Sequence, residues 1–266
     1  MMNVLVRAVG VVSVVVLAAG PLTPPAASGV SASPRAVQAR AAAVTLKASA
    51  PRVDTGKRLV LTGKVRNRPV GTVVQVQRSF RYEGVWATVG KTKVGKRGAV
   101  RYVDVPKRAG ERSYRLVVTK HGRAVSKAVT VTVWTWHDLD KQRFFQRRAT
   151  FQGQTEFFGG DGNKHENVIL ADNAVDQGFM TWHTEGTCTR ARAYIESTDG
   201  TLGVAHGQFT VDGVVVAESD LEGSSGRRLY VDVDTTGADT IGFAWQKVDD
   251  AFAIGMYDAS MYCPFR

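Results

Sequence analysis

The feature that most constrains the fold is an alternation of apolar and polar residues with a period of two. It is clearest at residues 129–133, where three valines alternate with two threonines, and it recurs at 59–65, 74–77 and 114–118. Successive side chains of a strand point to opposite faces, so this period indicates half-buried β-strands. Helical periodicity is weak throughout, and the sequence therefore predicts an all-β protein.

Turn-forming residues separate these runs at short intervals. Examples lie at 54–56 (DTG), 68–71 (RPVG), 95–98 (GKRG) and 121–122 (HG). Several short strands with turn signals at this spacing are typical of a β-sandwich. Residues 44–133 are therefore predicted to form one sandwich.

The charge of the chain changes sign near its middle. Residues 44–133 contain 21 Lys and Arg against 4 Asp and Glu, a net charge of +17, whereas residues 134–266 contain 11 against 20, a net charge of −9. Such an asymmetry between segments indicates separate units. We place the boundary at Trp134, between a basic domain (44–133) and an acidic domain (134–266).

The N-terminus has the pattern of a secretory signal. Arg7 is followed by an almost wholly apolar run at residues 8–19, which is shorter than a membrane span requires, and small residues follow it. We therefore expect a signal peptide and leader at 1–33, a flexible segment at 34–43, and an extracellular, secreted or cell-wall-associated protein without a stable membrane span after cleavage. An uncleaved membrane anchor is the alternative.

The chain has only two cysteines, Cys188 and Cys263. An even pair in an exported protein indicates a disulfide. Two separate buried thiols are the alternative. The spacing is far too long for a redox or metal motif of the CxxC type.

The first domain resembles the Ig-like domains of actinobacterial surface and secreted proteins. The residues that carry this resemblance are 59–63 (LVLTG), 70–78 (VGTVVQVQR), 98–102 (GAVRY) and 110–116 (GERSYRL). The resemblance implies an Ig-like β-sandwich. The usual cysteine pair is absent from this domain, so hydrophobic packing alone must hold it.

The second domain resembles the NPCBM family of carbohydrate-binding modules that are attached to glycoside hydrolases. The matching stretches are 188–195 (CTRARAYI), 207–216 (GQFTVDGVVV), 228–234 (RLYVDVD) and 256–263 (MYDASMYC). The resemblance implies a galactose-binding-like jelly-roll sandwich that binds sugars and catalyses no reaction. Such folds often hold a structural calcium ion, so the resemblance leaves open whether this domain binds calcium. No other cofactor is expected.

Catalytic signatures are missing from the second domain. No spaced motif singles out a pair of carboxylates for glycoside hydrolysis, and the strand positions of Asp232 and Asp234 predict that they share one solvent-facing side. The five histidines form neither HxH nor HxxxH, so no metal site is expected. An uncharacterised hydrolase, with its acids meeting in a cleft, is the remaining catalytic alternative.

Sugar binding requires an aromatic ring that stacks on a pyranose and polar side chains that hydrogen-bond its hydroxyl groups. Two places in the second domain combine such residues. We therefore select as candidate carbohydrate-binding residues Phe157, Phe158, Asp161, Asn163, His165, Trp182 and His183. Core packing is the alternative for Trp182, and a plain turn is the alternative for the loop around Asp161.

The expected function is non-catalytic binding of an extracellular glycan by loops of the second domain. The charge of the first domain indicates a further partner, such as an anionic cell-wall polymer, or contact with the acidic domain. Nucleic acid is not expected, because the chain carries an export signal and no recognition motif. A structural or protein-interaction module of the cell envelope, without a glycan ligand, is the alternative function.

Overall fold

The fold consists of β-strands joined by short turns. The computed structural model of the protein describes residues 43–81, 83–120, 122–154, 157–158, 163–166, 168–172, 174–197, 203–223, 227–249 and 253–265. The predicted signal peptide and nearly all of the predicted flexible segment lie outside these residues. Among the residues described, none forms a helix long and apolar enough to cross a membrane.

Nine strands build the first sandwich. They are β1 (Val44–Ala48), β2 (Arg52–Asp54), β3 (Leu59–Val65), β4 (Val73–Phe80), β5 (Ala87–Lys93), β6 (Ala99–Asp104), β7 (Gly110–Val118), β8 (Ala124–Val125) and β9 (Val129–Asp138). One sheet has the order β1-β3-β6 and the other the order β5-β4-β7-β9, with β8 on β7 and β2 parallel to β9. The inward parity of these strands supplies a core that includes Leu61, Val76, Leu116 and Val131, as the alternation predicted.

Twelve strands build the second sandwich. They are β10 (Gln146–Arg148), β11 (Thr150–Gln154), β12 (Phe157–Phe158), β13 (Lys164–His165), β14 (Val168–Ala171), β15 (Gln177–His183), β16 (Arg190–Ser197), β17 (Val204–Val211), β18 (Val214–Glu222), β19 (Arg228–Asp234), β20 (Thr240–Lys247) and β21 (Ile254–Cys263). Two five-stranded sheets, β10-β15-β20-β17-β18 and β11-β14-β21-β16-β19, enclose the core. The all-β prediction is confirmed.

The run at 207–216 contains the end of one strand and the start of the next. The apolar run at 207–216 contains Asp212 and Gly213, both with positive φ (51° and 75°), which form the turn between β17 and β18. An Asp-Gly pair is the preferred sequence for a tight hairpin turn. The valines that follow the turn are exposed because β18 is the edge strand of its sheet.

Strand β9 belongs to both sandwiches. Its first half pairs with β7, and its second half pairs with β21, Thr135 opposite Cys263 and Asp138 opposite Ser260. The predicted boundary at Trp134 therefore falls inside a continuous strand, and the division into two domains stays a prediction. Cys188 and Cys263 form a disulfide, which confirms the predicted pairing and ties the end of β21 to the turn before β16.

Candidate functional site

The outer face of the sheet β11-β14-β21-β16-β19 carries a regular set of polar and aromatic side chains. In β16 the alanines at 191 and 193 point into the core, while Arg190, Arg192 and Tyr194 point outward. Strand β19 alternates in the same way, and the register places Tyr230 opposite Tyr194 and Asp232 opposite Arg192. Two strands with strict period-two alternation thus build one face of guanidinium, phenol and carboxylate groups.

A β-bulge in β21 adds a further carboxylate to this face. Met256 and Met261 both point into the core although they are five positions apart, an odd number, so the alternation slips by one residue between them. The extra residue is Asp258, which has a φ of +48° and is exposed. A bulge of this kind re-aims a side chain next to a regular strand.

A row of aromatic rings crosses the outer face. The rings of Tyr194 and Tyr230 have centroids 4.9 Å apart, those of Tyr194 and Tyr257 are 5.4 Å apart, and His165 stacks on Tyr257 at 3.7 Å. Tyr257 is buried, and its hydroxyl donates to Glu196 at 2.8 Å; burial, together with this acceptor, raises its pKa. Tyr230, at the other end of the row, is 52% exposed.

Charged groups flank the exposed end of the row. The guanidinium of Arg190 binds Asp232 through two nitrogens, at 2.5 and 2.6 Å, and this pairing lowers the pKa of Asp232. The hydroxyl of Tyr230 donates to the same carboxylate at 3.2 Å. Desolvation, followed by the hydrogen bond to this carboxylate, raises the pKa of Tyr230.

Arg192 is held in place from two sides. Its Nε donates to Ser260 Oγ at 3.0 Å, and its guanidinium carbon lies 4.3 Å from the centroid of the Trp136 ring. A cation over an indole face is attracted by the ring quadrupole. The side chain is therefore positioned before any ligand arrives.

These groups surround an open hollow of about 420 Å³. Its lining residues are Asp138, Arg192, Ala193, Tyr194, Tyr230, Asp258 and Ser260. We call this site the tyrosine hollow. It combines a ring face, hydrogen-bond donors on Arg192 and acceptors on two carboxylates, and its volume lies within the usual range of small-ligand sites.

A second set of stacked rings fills the junction between the sandwiches. Arg52 lies 3.8 Å from the ring centroid of Trp134, and Tyr262 stands between Trp134 and Trp136 with centroid distances of 5.3 and 5.2 Å. Arg192 covers Trp136 on the side of the tyrosine hollow. These contacts bind the first sandwich to the sheet that carries the hollow.

Of the residues predicted to bind sugar in the loop around Asp161, some lie near the aromatic row on the outer face. Phe157 and Phe158 form β12, which pairs with β13 so that Phe157 lies opposite His165. His165 stacks on Tyr257 and therefore lies at the buried end of the aromatic row, and Asn163 is exposed just before β13. Asp161 lies outside the residues that the structure describes.

The prediction that Trp182 binds sugar is corrected by its burial. The side chain has no exposed surface and packs in the core of the second sandwich, because its parity in β15 points inward; it cannot stack on a ligand there. His183 points outward and packs against Phe145, with ring centroids 3.7 Å apart and the ring planes tilted by 41°. Phe145 is 49% exposed, so this pair forms a second exposed aromatic group, on the opposite sheet.

Sequence reasoning missed most of the tyrosine hollow. The alternation in RARAYI and RLYVDVD identifies the outward residues, but nothing local says that β16 and β19 are neighbours with Tyr194 opposite Tyr230. The slip of phase at Asp258 was also present in MYDASMYC as a signal for a bulge. Asp232 and Asp234 do share the exposed face, as expected.

Metal ligands do not gather in the part of the chain that the structure describes. No three His, Cys, Asp or Glu side chains there lie close enough to hold an ion. His206 contacts Asp220 at 2.6 Å and Glu218 at 3.2 Å, on the outer face of the other sheet. The hydrogen bond that His206 makes to the carboxylate of Asp220 raises the pKa of His206.

Comparison with known proteins gives only distant structural similarity. No family model matches the chain, and no curated protein matches it. The CBM51-2 and INT domains of Clostridium perfringens ZmpB are 13% identical with a TM-score of 0.42, over 59% of this chain and 38% of theirs. CBM51 from Clostridium perfringens GH95, solved with methyl-galactose, is 14% identical with a TM-score of 0.41, over 48% of this chain and 99% of its own.

A third structure, CBM51-2 of ZmpB in complex with GlcNAc together with the INT domains, is 11% identical with a TM-score of 0.41, over 83% of this chain and 48% of its own. The chain thus spans less than half the length of both ZmpB structures. Carbohydrate-binding modules of CBM51 are what the chain resembles structurally.

Proposed function

We propose that the protein binds a glycan in the tyrosine hollow and catalyses no reaction. The observation that carries this proposal is the half-exposed ring of Tyr230, packed against Tyr194 and bordered by Arg192 and Asp258. The hollow, rather than the loop around Asp161, is the proposed contact surface. The proposal rests on this geometry and not on the distant structural similarity.

The chemistry of the hollow suits a pyranose ring. One face of such a ring presents C–H groups, which pack against the apolar, electron-rich face of a phenol. Its hydroxyl groups are both donors and acceptors, so they can bond to a guanidinium on one side and to the carboxylates of Asp138 and Asp258 on the other. Hydrogen bonds to charged groups are the stronger ones.

The site is also preorganised. Arg192 is fixed by Ser260 and Trp136, and the hydroxyl of Tyr230 is fixed by Asp232. Each side chain that is already ordered saves roughly 0.5–1.5 kcal/mol of ordering cost on binding. A shallow site of this kind can therefore bind a sugar without closing over it.

The test is binding of a panel of neutral and charged oligosaccharides by the wild type and three variants. Tyr230→Ala and Arg192→Ala are expected to weaken binding at least tenfold, whereas Phe145→Ala is expected to leave it unchanged. Phe145→Ala is the matched control, because it removes an equally exposed ring from the opposite sheet. Loss of binding in Phe145→Ala alone would locate the site beside His183 instead.

Absence of binding by the wild type across the whole panel would refute the glycan proposal. The protein would then be better described as a structural or protein-interaction module of the cell envelope. Hydrolysis of any panel member would refute the non-catalytic part of the proposal.

We infer further that the chain is exported and that its second half is an NPCBM-like module behind an Ig-like domain. The disulfide between Cys188 and Cys263 supports export, because such bonds persist in oxidising compartments. A second proposed partner is an anionic polymer of the cell wall, since residues 44–133 carry a net charge of +17. Fractionation of the producing cells, with detection of the protein outside them, tests the export.

A further inference from the structure

The charges of the first sandwich are distributed unequally along its length. All four of its acidic residues lie at the end next to the second sandwich. In the strand register, Asp54 lies opposite residue 134 of β9 and Glu111 lies opposite residue 132. Asp104 is the last residue of β6 and lies opposite the first residue of β3, and Glu83 follows the end of β4. The opposite end therefore contains no carboxylate from this sandwich.

Three of these acids already have partners at their own end. Asp54 accepts the hydroxyl of Tyr262. Asp104 accepts the hydroxyl of Tyr114 at 2.5 Å, and Glu111 pairs with Arg81 at 3.4 Å. These contacts lie on the junction side of the sandwich. The charged side chains of this sandwich on the far side are therefore all cations.

The far end of the sandwich is formed by three loops, which join β3 to β4, β5 to β6 and β7 to β8, and by the adjoining strand ends. Nine basic residues lie there: Lys64, Arg66, Arg68, Lys91, Lys93, Lys96, Arg97, Lys120 and Arg123. We call this surface the basic end. Eight of the nine side chains are exposed, and Arg68 is half-buried.

The three loops are joined to one another, so the basic end is one surface. Arg68 Nη2 donates to the carbonyl of Gly122 at 3.2 Å, which joins the first loop to the third. The amide of Gly71 donates to the carbonyl of Val94 at 2.7 Å, and the amide of Val94 donates to the carbonyl of Thr72 at 2.9 Å, which joins the first loop to the second.

Residues 1–53 contain no Asp or Glu that could neutralise this surface. Among the described residues, no ion pair involves the eight of these cations other than Arg68. Arg115, which lies near Arg123, has its pKa lowered first by burial and then by the charge of Arg123. Cations grouped on one surface raise its positive potential, which a bound polyanion would lower.

We propose that the basic end is a binding site for a linear polymer that carries phosphate groups. The inference deepens the anionic partner proposed above by giving it a location, and it is independent of the tyrosine hollow. Four of the nine residues are arginines, whose planar guanidinium matches phosphate oxygens in pairs, and the lysines add mobile point charges. Such a surface attracts successive phosphate groups and does not need to recognise the chemical groups that join them.

A lipid surface fits the basic end less well. Proteins that lie on membranes combine basic residues with Trp, Phe or Leu side chains that enter the lipid. Among the described residues of the three loops and the adjoining strand ends, the exposed large apolar side chains are three valines, Val70, Val73 and Val125. The basic end therefore offers charge but little to insert.

The test uses long-chain inorganic polyphosphate and the full chain. The test variant replaces Arg66, Lys93, Lys96 and Lys120 by Gln, and the control variant replaces Lys57, Arg58, Lys107 and Arg108 by Gln. Both lower the net charge of +11 by four, and all eight side chains are exposed. The control residues lie at the junction end, so only the location of the lost charge differs.

We expect the wild type and the control to bind polyphosphate, and the test variant to bind more than tenfold more weakly. If about five phosphates are contacted, binding should weaken roughly 100-fold between 50 and 200 mM salt, with a smaller loss in the test variant. Thermal unfolding of both variants near the wild-type temperature would show that they fold.

Other outcomes separate the site from the partner. Equal weakening in both variants would show that net charge alone attracts the polymer and would overturn the proposed site. Absence of binding by the wild type at 50 mM salt would overturn both the site and the anionic partner. Tighter binding to phosphatidylglycerol vesicles or to a DNA duplex than to polyphosphate, per phosphate, would assign the surface to a membrane or to nucleic acid instead.

Discussion

Removal of the disulfide should cost the second sandwich a large part of its stability. Cys188 precedes β16 and Cys263 ends β21, with 75 residues of sequence separation between them. The loop that they close contains every strand from β16 to β21. Both cysteine side chains are fully buried, so reducing agents should reach the bond mainly when the protein unfolds.

The size of the effect follows from the length of that loop. In the chain-entropy treatment, closing a loop of this length removes about 15 cal/mol/K from the unfolded state, which is about 4 kcal/mol at 25 °C. The double variant Cys188→Ala/Cys263→Ala loses this restriction on its unfolded chain. With a urea dependence of roughly 2 kcal/mol per molar, the unfolding midpoint should fall by about 2 M.

The assay is urea unfolding followed by tryptophan fluorescence, for the wild type and the double variant, each with and without reductant. The first sandwich contains no cysteine, so any separate transition that it shows should be unaffected. Reductant should lower the midpoint of the wild type but not that of the variant. A shift of less than about 0.5 M would refute the reasoning, because the bond would then restrict little of the unfolded chain.

Two further changes test the packing and the electrostatics. Gly63→Ala should destabilise the first sandwich by about 2–3 kcal/mol, because a Cβ at this position would lie 2.3 Å from a backbone oxygen of β1; urea unfolding measures it, with the exposed Thr62→Ala as the control, and equal stability of the two variants would contradict the prediction. His206→Gln should destabilise by up to about 1 kcal/mol at pH 5.5 but not at pH 9, because Asp220 and Glu218 raise the pKa of the histidine, so that the stabilisation is present below about pH 6.5 and is lost as the pH rises through the folded pKa. A loss that is the same at both pH values would count against this ion pair.

The all-β fold was predictable because the apolar and polar residues alternate with a period of two in both halves of the chain. The valine and threonine alternation in β9 and the alanine positions in β16 place the core residues without knowledge of the partner strands. The disulfide was predictable for a different reason: two cysteines leave only one pairing. The Asp-Gly pair at residues 212 and 213 is a turn signal in the sequence, and it divides the run at 207–216 into two strands.

The candidate site was less predictable because it depends on pairing between distant strands. Tyr194 and Tyr230 are 36 positions apart in the sequence, and only the register of β16 with β19 brings their rings together. Trp182 was selected wrongly for a different reason. A Trp-His pair is typical of a sugar-binding site, but the sequence alone did not show that the Trp182 side chain points into the core. His165 lies at the end of the aromatic row because its ring stacks on Tyr257, a contact between residues far apart in the sequence.

The two proposed surfaces are joined by a shared strand instead of a flexible linker. β9 pairs with β7 of the first sandwich and with β21 of the sheet that carries the tyrosine hollow, and Tyr262 fills the space between Trp134 and Trp136. The effective concentration of one site for a ligand held at the other depends on how the connection sets their separation. A rigid junction therefore favours a long polymer whose sugars and phosphates can reach both surfaces at once, and gives no advantage to a short ligand that can occupy only one.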